Sequence, residues 1–119
     1  MRLITLLLLA VPALWARSDQ PGAAAGRKVE VKLEEWKIDM PATLPAGPTT
    51  LAITNAGKHG HNLKIEGEGI KRELAKNLKA GESATLDVDL KPGTYKVTCP
   101  VGLGVHKRKG MSLELKVTR

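Results

Sequence analysis

Alternating apolar and polar residues predict that most of the chain, from residue 28 onwards, folds into short β-strands. The first alternating segment, residues 28–34, places three apolar side chains on one face: Val29, Val31 and Leu33. The alternation changes phase just afterwards, at Trp36 and Ile38, which predicts a bulge or bend near Glu35. Further strands, several of them separated by Gly, Pro or Asn, are predicted over residues 49–54, 61–66, 83–90, 94–99 and 111–118.

The pattern of residues 70–79 is ambiguous. Ile70, Leu74 and Leu78 recur at steps of four, which fits a short amphipathic helix, although an irregular segment fits equally well. Six or seven short strands separated by turns are typical of an antiparallel β-sandwich. The predicted fold class is therefore all-β, with at most one short helix near residues 70–79.

Residues 1–16 have the features of a secretory signal peptide. Arg2 supplies a positive start, and residues 3–16 are almost entirely apolar. This apolar run has 14 residues, whereas a membrane-spanning helix needs about 20. We therefore expect cleavage after Ala16, with Ala25 as an alternative, and no stable membrane insertion of the mature protein.

The rest of the chain is long enough for one domain, and it contains no internal repeat. Pro, Gly and Ala dominate residues 17–27, which predicts a flexible leader before a single domain over residues 28–119. The signal peptide implies a periplasmic or secreted protein, and we expect a monomer.

The chain is basic, with a formal net charge of +7 that would fall by one if Arg2 were removed with the signal peptide. Nucleic acid is not the expected partner, because an exported protein rarely meets it. Beyond the signal peptide only Trp36 and Tyr95 could stack on bases. An acidic protein is the better candidate partner.

Cys99 is the single cysteine of the chain. A lone cysteine cannot form an internal disulfide, although an exported protein lives where thiols oxidise. A buried inert thiol, an intermolecular disulfide and a metal thiolate remain as explanations, and composition alone favours the buried inert thiol.

Strand parity places three sulfur or nitrogen donors at strand ends on inward faces. Cys99 shares its parity with apolar residues of its predicted strand, and the same is true of Met111 and His61. A second imidazole, His106, lies in the glycine-containing loop over residues 100–110. Four candidate donors are therefore expected at one end of the sandwich.

Cys99, His106 and Met111 form the pattern C-x6-H-x4-M. Two imidazoles and a thiolate with a weak axial thioether are the ligands of electron-transfer copper sites. His59 shares the parity of His61, but it follows a turn, and we assign it to the surface. Met40 competes for the axial position, but a methionine before a proline in a loop is better explained by packing.

Two segments resemble the cupredoxin family of small blue copper proteins, which includes plastocyanin and azurin. The segment Asn55–Leu63 is similar to the family's first-histidine segment, and Gly93–Pro100 followed by His106 and Gly110-Met111 is similar to its ligand loop. The resemblance implies a Greek-key sandwich with one type 1 copper ion that cycles between Cu(I) and Cu(II).

The resemblance also implies a role for each donor. His61, Cys99 and His106 would be equatorial ligands, Met111 would be axial, and Asn62 would tie the ligand loops together behind them. Well-known family members place two to four residues between the cysteine and the second histidine, whereas this chain has six. The longer loop leaves open a longer axial bond, entry of water, or a copper type other than blue.

The basic run Lys107, Arg108 and Lys109 directly follows His106. A solvated loop is the ordinary explanation for such a run, but its position predicts a docking site for an acidic redox partner. We therefore expect an exported one-electron carrier. A copper delivery or storage module and a metal-free binding domain are the alternatives. An enzyme is not expected, because the sequence offers neither a nucleophile–base pair nor a second metal cluster.

Overall fold

Nine short strands and one four-residue helix make up the part of the protein that the computed structural model describes, residues 26–119. The predicted signal peptide and most of the predicted leader lie outside these residues. In chain order the elements are β1 (Arg27–Glu34), β2 (Lys37–Asp39), β3 (Thr43–Pro45), β4 (Gly47–Asn55), β5 (Lys64–Gly67), β6 (Ile70–Glu73), β7 (Ser83–Leu90), β8 (Gly93–Thr98), α1 (Val105–Arg108) and β9 (Ser112–Thr118).

The strands form two sheets, with the orders β2-β1-β4-β7 and β3-β9-β8-β5-β6. The predicted all-β sandwich is confirmed, but the sheets are mixed rather than purely antiparallel, because β1 pairs with β4 and β3 with β9 in parallel. A parallel pair needs a crossover connection. Here the chain leaves the first sheet after β2, adds β3 to the second sheet, and returns as β4 in the direction of β1.

The core lies between the sheets and contains the residues that the alternation assigns to inward faces. Val29, Val31 and Leu33 are all buried, as are Tyr95, Val97 and Leu115 of the opposite sheet. Burial of these apolar side chains is the main favourable contribution to folding. The inward parity of β8 and β9 leads directly to Cys99 and Met111, which are fully buried.

The phase change near Glu35 is a two-residue hairpin turn. Glu34 pairs with Lys37, so that Glu35 and Trp36 connect β1 to the antiparallel strand β2. Leu33 and Ile38 lie opposite each other and are both buried, which explains why the apolar parity changes at this point.

Residues 70–79 contain no helix. The first four form β6, which pairs antiparallel with β5, and the remainder is irregular apart from an isolated bridge between His61 and Leu78. The predicted strand over residues 61–66 is correspondingly shorter, since β5 begins only at Lys64. Among residues 26–119, no helix is long and apolar enough to cross a membrane.

Candidate metal centre

Three of the predicted donors meet at one end of the sandwich. The Nδ1 atoms of His61 and His106 lie 3.2 Å apart, and the Cys99 Sγ lies 3.9 Å from the first and 3.7 Å from the second. His61 and Cys99 are fully buried, whereas His106 is half-buried. Residues separated by up to 45 positions therefore share one small cluster.

Two backbone hydrogen bonds between His61 and Leu78 hold His61 in place. The His61 N–H donates to the Leu78 carbonyl at 3.0 Å, and the Leu78 N–H donates back at 2.7 Å. The buried Asn55 side chain donates to the carbonyls of His59 and Leu78 and accepts from the Gly57 N–H. Asn55 thus stabilises the turn that precedes His61.

The Glu35 carboxylate contacts the other nitrogen of the same imidazole. Its Oε2 lies 2.7 Å from the His61 Nε2 and also accepts from the His59 N–H at 3.0 Å, while the Lys58 N–H donates to both carboxylate oxygens at 2.9 Å. These backbone donors, Lys58 first, lower the pKa of Glu35 to about 2. Glu35 is therefore an anion at neutral pH.

Cys99 lies where β8 ends, and its sulfur is surrounded by protein. The Asn62 N–H points at its Sγ at 3.4 Å, and the Cys99 N–H donates to the Met111 carbonyl at 3.2 Å. Burial raises the pKa of the Cys99 thiol, and the N–H groups of Asn62 and Val101 offset this only in part. The metal-free site therefore favours the protonated thiol at neutral pH.

A tight turn before α1 brings His106 back toward Cys99. Gly102 and Gly104 adopt positive φ angles of 76° and 91°, and the Val105 N–H donates to the Gly102 carbonyl at 3.0 Å. Burial lowers the pKa of His106, helped by the nearby His61. The ring is therefore neutral at pH 7, with a nitrogen lone pair available to a metal.

Trp36, the second residue of the hairpin turn, covers the imidazoles from one side. Its ring centroid lies 4.8 Å from that of His106 and 6.1 Å from that of His61, both in edge-to-face arrangements. Lys109 Nζ lies 5.1 Å from the Trp36 ring centroid, within the range of a cation–π contact.

Met111 is fully buried and is joined through its backbone to two of the predicted ligands. Its N–H donates to the His106 carbonyl at 3.1 Å, and its carbonyl accepts from Cys99. Met111 is therefore the last residue of the ligand loop, immediately before β9.

The structure places the remaining candidates outside the cluster. His59 has 60% of its side-chain surface exposed, and Met40 packs against the core. Asn62 contacts Cys99 through its backbone N–H, while its side chain bonds the segment after β6 through Asn77 Oδ1 at 2.9 Å. The predicted docking residues Lys107, Arg108 and Lys109 are all exposed.

Two contributors at this end of the sandwich are absent from the sequence predictions of the site. Glu35 reaches His61 across 26 positions, and Asn55 supports the turn before it. The sequence marks Glu35 only as the position of a bend, where side-chain direction has no period. It marks Asn55 only as the first residue of the segment that resembles the first-histidine segment of cupredoxins, and it gives no sign that the amide binds the backbone of the turn.

The spacing of the donors fits a trigonal metal site. In such a site, bonds of about 2.0–2.1 Å to nitrogen and about 2.3 Å to sulfur, as found for zinc, hold the nitrogens about 3.5 Å apart and each about 3.8 Å from sulfur. The observed separations of 3.2, 3.7 and 3.9 Å are close to these values. Two imidazoles and one thiolate are also the equatorial donors of electron-transfer copper sites.

Comparison with known families identifies the fold family. Residues 4–111 match the cupredoxin-like domain. The chain belongs to the cupredoxin family. The resemblance inferred from the ligand segments of this cupredoxin is therefore confirmed, while a search of curated proteins finds no match.

Solved structures of other proteins share this cupredoxin fold. Reduced auracyanin from the photosynthetic bacterium Roseiflexus castenholzii is 22% identical, with a TM-score of 0.65, and the match covers 80% of this chain and 99% of that chain. Auracyanin A from Chloroflexus aurantiacus, described as a "blue" copper protein, is 19% identical, with a TM-score of 0.59 and coverage of 78% and 100%.

Larger proteins contain the fold as well. A blue copper oxidase from Nitrosomonas europaea is 16% identical, with a TM-score of 0.61, and the match covers 77% of this chain but 38% of the oxidase. At these identities the likeness concerns the fold alone, and the chemistry depends on the residues of the site.

Proposed function

We propose that this cupredoxin is an exported carrier of single electrons that holds one copper ion through His61, Cys99, His106 and Met111. The observation that carries the proposal is the convergence of two imidazole nitrogens and one thiol sulfur within 3.9 Å of one another. Bound copper would supply a one-electron couple between Cu(I) and Cu(II). The likeness to auracyanins, among them a blue copper protein, supports the same choice of metal.

The chain contributes a preformed and largely dry set of donors. His61, Cys99 and Met111 are fully buried, His61 in a backbone bridge with Leu78 and the other two beside the ends of β8 and β9. Side chains held in this way need little movement when the charge on a bound metal changes. The Met111 thioether would be the weak axial ligand. A site acceptable to both oxidation states is what an electron carrier needs.

The surface around His106 supports an encounter with a partner. Leu103 is 97% exposed and Val105 38% exposed beside this half-buried imidazole, and the basic run over residues 107–109 lies next to them. We propose that an acidic redox protein docks here, because opposite charge increases the rate of encounter.

Addition of Cu(II) to the purified metal-free protein tests the proposal. We expect an intense visible thiolate-to-copper absorption at one equivalent of copper, lost completely in Cys99→Ser and strongly altered in His106→Ala. The matched control is His59→Ala, which removes an imidazole outside the cluster and leaves the absorption unchanged. A wild-type protein without this absorption, or a Cys99→Ser protein that retains it, would contradict the copper thiolate.

Electrochemistry distinguishes a carrier from a copper delivery module. A carrier gives fast, reversible voltammetry and retains Cu(I) in the presence of a chelator. Ready transfer of Cu(I) to the chelator together with sluggish voltammetry would favour delivery instead.

A further inference from the structure

The hairpin turn between β1 and β2 brings a carboxylate to the side of His61 that faces away from the cluster. Glu35 Oε2 lies 2.7 Å from the His61 Nε2, while the Nδ1 of the same ring points at Cys99 and His106. The imidazole therefore lies between the Glu35 carboxylate and the candidate metal position.

This arrangement determines which ring nitrogen carries the proton. An ionised carboxylate only accepts hydrogen bonds, so the proton in the contact belongs to His61 Nε2. In the neutral ring the lone pair is then on Nδ1. That is the nitrogen that lies 3.2 Å from the His106 Nδ1 and 3.9 Å from the Cys99 Sγ.

The carboxylate is itself held in place by the segment that leads to His61. The N–H groups of Lys58 and His59 both donate to it, and only 20% of its side-chain surface is exposed. Gly57 makes room for this approach, because a Cβ at that position would overlap the Glu35 carboxylate. The φ angle of Gly57 lies outside the left-handed region, so an alanine at this position would not strain the backbone. Its Cβ would instead displace the Glu35 carboxylate.

We propose that Glu35 is a positioning residue of the metal centre, which fixes the His61 ring in the tautomer and orientation that present Nδ1 to the ion and places a negative charge behind this ligand. The inference rests on the proposed copper function and deepens it. Partners of this kind orient the ligating imidazole and raise its basicity. The negative charge also stabilises Cu(II) more than Cu(I), since the attraction grows with the charge of the ion.

The experiment begins with the metal-free protein, in which the Glu35–His61 contact can be measured without copper. Nitrogen-15 NMR at neutral pH is recorded for the wild type, Glu35→Gln, Glu35→Ala and Gly57→Ala. We expect the wild-type His61 to be the Nε2–H tautomer almost completely, and Glu35→Ala and Gly57→Ala to give a mixture of tautomers. A wild-type ring protonated mainly on Nδ1 would overturn the inference.

The same variants are then loaded with copper, with Glu30→Gln as the control. Glu30 is an exposed residue of β1, and its substitution changes the net charge by the same amount. We expect Glu35→Ala and Gly57→Ala to weaken Cu(II) binding by about 10–100-fold. Glu35→Gln, which keeps the volume of the side chain, is expected to raise the reduction potential, whereas Glu30→Gln leaves both quantities unchanged.

The outcomes separate the two proposals. Wild-type protein that binds copper with the thiolate absorption, together with Glu35 variants that match it in affinity and potential, would overturn this inference alone. Wild-type protein without the absorption would overturn the proposed function and the inference with it. If Glu35→Ala does not fold, Glu35→Gln and Gly57→Ala still decide the question, because each alters the contact while the rest of the turn is retained.

Discussion

The protonation states of individual residues decide how the metal-free site would take up copper. Burial raises the pKa of Cys99, so its thiol keeps its proton at neutral pH, while the lowered pKa of His106 leaves that ring unprotonated. A metal that binds the thiolate must therefore displace the thiol proton.

Copper affinity is accordingly expected to increase with pH, by roughly tenfold per pH unit between pH 7 and 8, where the Cys99 thiol is still protonated. Because the pKa of His106 lies below its usual value of 6.5, this ring competes for protons only at more acidic pH. Competition with a chelator of known pH-dependent affinity measures the slope. Cys99→Ser is the control, since it lacks the titrating thiol, and a wild-type affinity that is flat over this range would contradict the expectation.

Cys99 and Met111 are buried beside β8 and β9, on the inward faces that strand alternation predicts, but the surroundings of the candidate site could not be predicted from sequence. Alternation places Cys99 and Met111 on inward faces because both adjoin regular strands. Glu35 lies in a two-residue turn, where side-chain direction has no period, and its contact with His61 depends on how β1 and the segment after β4 meet in three dimensions.

At the scale of elements, the segment between β4 and β5 depends on one buried amide. The Asn55 side chain donates to two backbone carbonyls and accepts from one backbone N–H. Without the amide, the His59 carbonyl and the Gly57 N–H lose a part-buried partner, whereas the buried Leu78 carbonyl keeps the His61 N–H. A fully buried group left unpaired costs about 1–3 kcal/mol, and a group that water can reach costs less.

We therefore expect Asn55→Ala to lower the free energy of unfolding by about 1–3 kcal/mol and to broaden the NMR signals of His61. Denaturant unfolding of the metal-free protein measures the loss. Thr54→Ala is the matched control, because Thr54 is the neighbour of Asn55 and its hydroxyl makes only an exposed contact with Ser83. Its loss is expected to lower the free energy of unfolding by less than about 0.5 kcal/mol. Equal losses in the two variants would argue against the buried amide as the support of the turn.

A short helix fits the pattern of residues 70–79, whereas the helix in the structure is α1, and both differences have physical explanations. The four-residue spacing of Leu74 and Leu78 fits a helix, but the two side chains instead anchor an irregular segment to the core, where their N–H groups donate to Leu63 and His61. The observed helix α1 has four residues, which is too short for a periodic signal, and the glycine turn before it determines its position.

The positive charge of the whole molecule includes a cluster beside the candidate site, the exposed run over residues 107–109. Charges close to the point of electron transfer influence the encounter more than equal charges elsewhere. At 0.1 M ionic strength, salt largely screens the interaction between exposed charges that lie more than about 10 Å apart.

Electron exchange of the copper-loaded protein with the anionic hexacyanoferrate couple is expected to slow by roughly tenfold or more as salt is added. Substitution of Lys107, Arg108 and Lys109 by glutamine should reduce both the rate at low salt and its salt dependence. The control removes three exposed lysines elsewhere: Lys28, Lys32 and Lys96. Stopped-flow kinetics measure the rates, and equal salt dependence in the two triple variants would contradict a local docking site.

The sandwich as a whole could be predicted from strand patterns, but the direction of two strand pairs could not. Alternation identifies the inward face of β1 and of β4 without indicating that they are neighbours. Their parallel pairing results from the excursion of the chain through β3 in the other sheet.

That excursion and the hairpin before it have a mechanical consequence. Glu35 and Trp36 belong to the β2-β1-β4-β7 layer, whereas the ligand loop between β8 and β9 belongs to the other layer. An ion at the cluster would be bound directly by the ligand loop of the β3-β9-β8-β5-β6 layer. Through the His61 imidazole and the Glu35 carboxylate, it would also be connected to the β2-β1-β4-β7 layer. It would act as a crosslink through the sandwich, so that separation of the layers and release of the ion would be a single cooperative event.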